Sequence, residues 1–220
     1  VRWVVGIVLG VYIGTIVLLN IPNIQQAMSV FVAEELSEVL NTKVMIGRIN
    51  IGLLNRIIID DVLLDDQSGQ EMLKVTRLSA KFDIMPFFKG KISISSVQLF
   101  GFNINLRKET PDSPPNFKFV LDAFASKDTV KKENSLDLRI NSILIRRGRM
   151  SYHVLSEEET PGKFNAKHIQ LQNIIANISL KALSKDSLNL GIKRLSLDEK
   201  ASGFSLKKMS LKLVANNKQT

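Results

Sequence analysis

Apolar and polar positions along the chain repeat in blocks of eight. Apolar residues occupy positions 1, 3, 6 and 8 of each block, and a pair without large apolar residues fills its centre. The block is read at Val44–Ile51, Ile57–Leu64, Leu73–Ala80, Ile92–Leu99, Leu138–Ile145, Ile169–Ala176, Leu190–Leu197 and Phe204–Leu211. The central pairs are Gly47-Arg48, Asp60-Asp61, Thr76-Arg77, Ser95-Ser96, Asn141-Ser142, Gln172-Asn173, Lys193-Arg194 and Lys207-Lys208. Internal repeats decide architecture, so they come before any local reading. A helical stripe needs spacings of three and four, which the first two apolar positions violate. A regular strand alternates with period two, which would throw the two halves of the block onto opposite faces. One extra residue at the central pair, a β-bulge, restores the phase and bends the strand. Eight such strands predict a mainly β fold, a curved repetitive sheet forming a groove with an apolar concave side. The alternative is an ordinary sandwich of two-part strands.

This pattern assigns the groove lining to Val44, Ile46, Ile49, Ile57, Ile59, Val62, Ile92, Ile94, Val97, Leu99, Leu138, Ile140, Ile143, Ile145, Ile169, Leu171, Ile192, Leu195, Phe204 and Leu206. Arg139, Asn141, Ser142 and Lys193 are assigned to the outer, wet face. At ~4.8 Å between strands the trough would be about 40 Å long.

The pattern before residue 43 is helical. Trp3–Leu19 carries no charge, and only Thr15 in it is plainly polar. At ~1.5 Å per residue it is just long enough to span a hydrocarbon core. Residues 1–20 therefore read as a transmembrane signal-anchor, with Trp3, Val4, Ile7, Leu9, Ile13, Ile16 and Leu19 facing lipid and Trp3 at the interface. No small residues mark a cleavage site in Ile16–Pro22, so the anchor is read as uncleaved. Arg2 precedes the span and the next basic residue is Lys43, which puts the N-terminus in the cytoplasm and the bulk across the membrane. Residues 21–42 read as an amphipathic helix, capped by Asn20 or Asn23 and started by Pro22, with Ile24, Met28, Phe31, Val32, Leu36, Val39 and Leu40 on its apolar face. Its acidic polar face favours capping the first strand over lying on a membrane. Residues 43–220 form the β-domain. The first residue is valine, and an octad lies close to Thr220. The chain is therefore expected to continue beyond both ends, with further sheet after Thr220.

Asp65–Gly69 reads as a turn, Thr110–Pro115 as a loop, and Asn116 as the cap of a short helix with Phe117, Val120, Leu121 and Phe124 on one face. Ala80–Ile84 extends its strand to Met85-Pro86, Ile92–Leu106 is one bent strand or a hairpin around Gly101, and residues 126–135 form a charged connection. Ser156–Gly162 is an acidic loop, followed by two strand pairs within Lys163–Val214. Ile92, Ile94, Val97, Leu99, Ile104 and Leu106 recur 46 residues later as Leu138, Ile140, Ile143, Ile145, Met150 and Tyr152, which indicates a duplicated unit.

Composition changes the picture little. The absence of cysteine in 220 residues excludes disulfide and thiolate chemistry. The net charge of +9 is scattered in short clusters without an aromatic-rich basic patch, which argues against nucleic acid. No Gly-x-Ser-x-Gly, His-Glu-x-x-His or phosphate loop is present, so no enzyme activity and no cofactor are expected. His153 and His168 lie on different predicted strands without helical metal spacing and read as surface or strand-end residues. Asp60, Asp61, Asp65 and Asp66 miss the EF-hand pattern, so no metal is expected.

Four stretches, in order, carry a family resemblance: Val44-x-Ile46-Gly47-x-Ile49; Ile59-Asp60-Asp61-Val62-x-Leu64-x-Asp66-x-x-Gly69; Asn116-Phe117-x-Phe119-x-Leu121-Asp122-x-Phe124; and Ile143-x-Ile145-x-x-Gly148-x-x-x-Tyr152. Together with the anchor and the helix after it, they resemble the N-terminal part of AsmA-like proteins, especially the TamB branch. The resemblance implies a periplasmic β-groove anchored in the inner membrane. It implies passage of phospholipid or another acyl-chain lipid toward the outer membrane, or help in assembling and translocating outer-membrane proteins. An Omp85-type partner would engage a C-terminal region that this sequence does not include. The alternative function is a membrane-tethered β-scaffold that binds another envelope protein without conducting lipid.

Overall fold

The computed structural model describes residues 2–52, 55–83, 92–125, 136–137, 141–183 and 187–216. Helices α1 (Arg2–Leu19) and α2 (Pro22–Leu40) precede β1 (Val44–Gly52), β2 (Arg56–Asp65), β3 (Glu71–Phe82) and β4 (Ile92–Lys108). Then come α3 (Lys118–Ala125), the two-residue β5 (Leu136–Asp137), β6 (Ser142–Val154), β7 (His168–Leu183), β8 (Ser187–Glu199) and β9 (Ser205–Asn216). The eight long strands form one open sheet in the order β1-β2-β3-β4-β6-β7-β8-β9, and β5 pairs with β4. The predicted Leu138, Arg139 and Ile140, the run to Met85-Pro86 and the 126–135 connection lie outside the described residues.

Every long-strand pairing is antiparallel except β4 with β6. That parallel pair runs from Ser96 opposite Ser142 to Lys108 opposite Val154. Its register is the 46-residue offset of the sequence duplication, so the repeated segments lie side by side. A parallel pair needs a crossover, and α3 lies in the one used here. Where two strand pairs were expected within Lys163–Val214, the described residues form three long strands, β7, β8 and β9, one for each octad there.

The extra residue in each octad is real, but its geometry differs from a simple bulge. Asp61, Gly101, Arg147 and Asn173 have φ between 54° and 65°, in the left-handed region. From β1 to β6 these sites face one another. Gly47 falls opposite Asp61, which falls opposite Thr76, which falls opposite Gly101, and the register on either side of them does not slip. Each strand carries its extra residue on the same line, so the sheet is creased while pairing is preserved. In β7, β8 and β9 the register does slip, around Gln172-Asn173, Lys193-Arg194 and Lys207-Lys208. Two expected positions need correction. In β4 a slip does occur at Ser95, but the crease passes through Phe100-Gly101. In β6 it passes through Arg146-Arg147, since Asn141-Ser142 lies at the start of the strand. Glycine serves the crease by its bareness. A Cβ on Gly101 would stand 2.7 Å from the Thr76 hydroxyl, and one on Gly148 would stand 2.3 Å from the Phe102 ring.

α2 runs along the outer edge of β1, and it and Asn20 just before it bond backbone groups near the two ends of that strand. The Ser37 hydroxyl accepts from the Val44 N–H at 3.0 Å, and the Asn20 amide donates to the Ile51 carbonyl at 2.8 Å. Gln25 donates to the Asn50 side chain at 2.6 Å. The facing stripe of α2 must therefore be partly polar. Gln25 and Ser29 are buried beside Leu40, whereas Phe31 and Val39, expected on the core face, are exposed. Neither Asn20 nor Asn23 caps α2; its N-cap is Ile21 without a side-chain bond, and Pro22 opens the helix. Asn41 closes it in the left-handed conformation.

Candidate apolar face

Pairing registers align the octads into four apolar rows that cross the sheet. One row runs Ile49, Ile59, Leu78, Leu99, Ile145, Ala176, Leu195, Met209, touching all eight long strands. Another runs Ile51, Ile57, Ala80, Val97, Ile143, Ile178, Ile192, Leu211. A third joins Val44, Leu64, Leu73, Ile104, Met150 and Leu171 and ends at Glu199. The fourth passes from Ile46 through Val62 and Val75 to Phe102, and from Ile174 to the Leu197–Leu206 pair.

Side chains on both sides of the crease pack together, which fixes them on one face. Val75, Phe102 and Ile174 are buried at the centre, against Val62, Leu73, Leu78, Leu99, Ile104, Ile145, Met150, Leu171 and Leu197. The missing side chain of Gly148 lets the Phe102 ring cross β6 toward Ile174. At the other end, Leu40 of α2 closes over Val44, Leu64 and Met72, with Phe117, Phe119, Val120 and Ala123 around them. Val44 and Ile46 thus belong to a helix-covered core and not to an open lining. Leu121, expected on the packed face of α3, is 58 % exposed, and Phe119 and Ala123 take its place.

The other assigned residues divide plainly. Ile57, Ile59, Val62, Ile94, Val97, Leu99, Ile143, Ile145, Ile169, Leu171, Ile192, Leu195 and Leu206 are half-buried, and Ile49 is buried. Ile92 lies in β4. Phe204 is a correction: it sits in the turn before β9 and is 57 % exposed. The octads already placed Ile174 and Met209 at apolar positions; the sequence reading missed Phe102 and Ile178 as members of the rows. The octad shifted by five residues in β4 and β6 would have found Phe102.

The central pairs, in their corrected positions, mark the opposite surface. Arg48, Arg77, Arg146, Arg147, Lys193, Arg194, Lys207 and Lys208 are all exposed there. Arg77 binds Asp60 at 2.6 Å, and the Arg147 guanidinium stacks 5.1 Å from the centre of the Phe100 ring. At the covered end Asp66 is buried and joins three segments. It accepts from Arg107 at 2.6 Å, from the Ser68 hydroxyl at 2.7 Å and from Asn116 at 3.1 Å. Asn116 therefore ties the crossover to β4, accepting from the Arg107 N–H at 3.0 Å, and does not cap α3. Burial pushes the Asp66 carboxyl up, but the Ser68 hydroxyl, the Asn116 amide and the backbone N–H groups of Gln70 and Ser68 together hold it below its ordinary value. Of the four aspartates weighed as metal ligands, Asp60 pairs with Arg77 and Asp66 with Arg107.

The histidines are brought together. His153 and His168 are directly opposite on β6 and β7, with Nδ1 atoms 3.0 Å apart. Sequence spacing could not show this, because their proximity depends on the register of a hairpin with a long loop.

α1 is apolar and almost wholly exposed; Trp3 is 87 % accessible, and Ile7, Val8, Val11 and Val17 each exceed 60 %. Among the described residues no single helix is long and apolar enough to cross a membrane, though α1 and α2 together, bent by 70°, meet that test. Neither a protein-family model nor a curated protein matches the chain.

Proposed function

We propose that the chain is a membrane-anchored β-groove that carries acyl-chain lipid along its apolar face, in the periplasm of a two-membrane envelope, as the resemblance to the TamB branch implies. The observation that supports this most is the set of aligned rows. In two of the rows apolar side chains, most of them half-buried, succeed one another across all eight long strands at ~4.8 Å steps, so an acyl chain lying along either row meets no polar interruption. Contacts of this kind are weak and non-directional, which suits sliding better than tight binding. The rows are only half-buried along much of the sheet, which leaves their face open to an apolar neighbour. α1 adds an exposed apolar surface, and lipid is the neighbour that suits both. In this reading α1, with Ile21, Val30 and Phe31 of the bend and α2, sits in the inner membrane or its interface, and the sheet stands outside the cytoplasm.

The test uses adjacent residues on opposite faces of β8. Leu195 is half-buried in a row that crosses all eight long strands, and Arg194 is exposed. A photo-crosslinking amino acid at Leu195, in membranes of a two-membrane bacterium, is expected to capture phospholipid, and one at Arg194 is not. Equal lipid labelling at both sites contradicts the proposal. Capture of a protein and no lipid at Leu195 favours the scaffold reading instead.

A further inference from the structure

We propose that His153, His168 and Glu159 form a mononuclear transition-metal site, with Zn²⁺ as the ion that fits. The three ligand atoms make a small triangle. The histidine Nδ1 atoms are 3.0 Å apart, and Glu159 Oε1 lies 3.7 Å from one and 4.0 Å from the other. Tetrahedral Zn²⁺ with bonds of about 2.0–2.1 Å separates its ligand atoms by about 3.3 Å. Opening the histidine pair slightly and drawing Glu159 inward by about half an ångström reaches that geometry. Glu159 is the mobile partner in this adjustment, since its side chain is 63 % exposed on the loop after β6.

A second observation points the same way. His168 is buried, and its Nε2 lies 2.9 Å from the Glu157 carbonyl. A carbonyl only accepts, so Nε2 carries the hydrogen and Nδ1 turns its lone pair toward His153 and Glu159. A ring N–H held by a backbone carbonyl is the arrangement that orients metal-bound histidines. Without metal, His153 Nδ1–H donates to that lone pair, and the carboxylate lies beyond hydrogen-bond distance of both rings. A cation at the centre satisfies all three groups once the His153 hydrogen moves from Nδ1 to Nε2, which frees the Nδ1 lone pair for the metal. Two imidazoles and a carboxylate suit Zn²⁺ or its late first-row neighbours and not Mg²⁺ or Ca²⁺. Bound metal would fasten the acidic loop Ser156–Gly162, through Glu159, to the ends of β6 and β7.

The experiment uses the full chain in detergent micelles, stripped of metal by a chelator and free of any histidine tag. Titration with ZnCl₂ is expected to give one ion per chain, and Co²⁺ is expected to give the visible absorption of a four-coordinate nitrogen and oxygen site. Glu159→Gln and His153→Asn are each expected to weaken Zn²⁺ binding at least tenfold, while Glu158→Gln leaves it unchanged. Glu159→Gln lies on the exposed loop, so its effect is separable from misfolding, which the unfolding midpoint without metal checks. Absence of stoichiometric binding in the parent chain overturns the proposal. So does an affinity that both variants leave intact, which would mark scattered surface binding.

Discussion

The two edges of the sheet are finished in opposite ways. At β1, α2 lies along the edge, Ser37 and Asn20 bond backbone groups near the two ends of the strand, and α2 with α3 covers the start of the apolar face. At β9, no described strand or helix pairs with the outer edge, and Leu211, Leu213 and Val214 stay 43–52 % exposed. The octad is the same at both ends. Its pattern decides which face a side chain takes, and what covers that face decides whether it becomes core. A strand edge that nothing described covers presents a row of backbone donors and acceptors to solvent, which the β1 edge does not.

The largest contrast is expected from truncating the same residue type at each end. Leu40→Ala removes a side chain that is 7 % exposed and closes the first cluster, and it should cost about 3 kcal/mol. Leu211→Ala, at a position 48 % exposed, should stay within about 0.5 kcal/mol. Urea unfolding of the full chain in micelles measures both. Equal losses would mean that β9 is covered after all and would dissolve the comparison.

How much of this was legible depends on whether the information is local. The eight strands, the shared face and the crease in β2 and β7 follow from period-two alternation broken by one polar pair, as at Asp60-Asp61 and Gln172-Asn173. The crease in β4 and β6 was harder to read because Phe100 and the Arg146-Arg147 pair do not resemble Ser95-Ser96. The 46-residue repeat was visible, although nothing local said that its copies would pair in parallel. Phe31 of α2 misled for a physical reason: a helix against a strand edge needs polar partners, which a core-facing helix does not. The histidine pair and the Asp66 network depend on contacts 15 to 50 residues apart, beyond any periodicity.

A second test sharpens the comparison through the carboxylate that closes the open end. Glu199 terminates an apolar row and is 3 % exposed. It accepts from the N–H groups of Ser202 at 2.6 Å, Ala201 at 3.2 Å and Gln170 at 3.2 Å, and from the Ser202 hydroxyl. Burial pushes its carboxyl up, but these donors outweigh burial and bring it from the ordinary 4.5 to about 2. Because the folded value lies below the unfolded one, its contribution is complete above about pH 4.5 and is lost as pH falls toward about 2. Glu199→Gln should cost about 2 kcal/mol at neutral pH and much less near pH 2. Unfolding curves at the two pH values check this, and a loss independent of pH would assign the effect to packing.

The smallest effect is expected on the polar face, where neither end of the sheet is covered. Arg77 grips Asp60 across β3 and β2, with contacts of 2.6 Å and 3.2 Å, yet the arginine side chain is 57 % exposed. Water and salt screen such a pair, and two side chains lose freedom to hold it, so its coupling should be about 0.5 kcal/mol. A double-mutant cycle of Arg77→Ala with Asp60→Asn isolates that value from the loss of the Asn50 contact to the same carboxylate, which is 3.4 Å long. The coupling should shrink further in molar salt. Lys207 and Asp198, 3.9 Å apart at the open end, should couple still less, because the lysine is 86 % exposed and the contact lies near the limit of an ion pair. If either pair coupled by several kcal/mol, the crease would be held from its charged side. The apolar rows would then be free of a structural duty that Phe102 and Ile174 are here taken to carry.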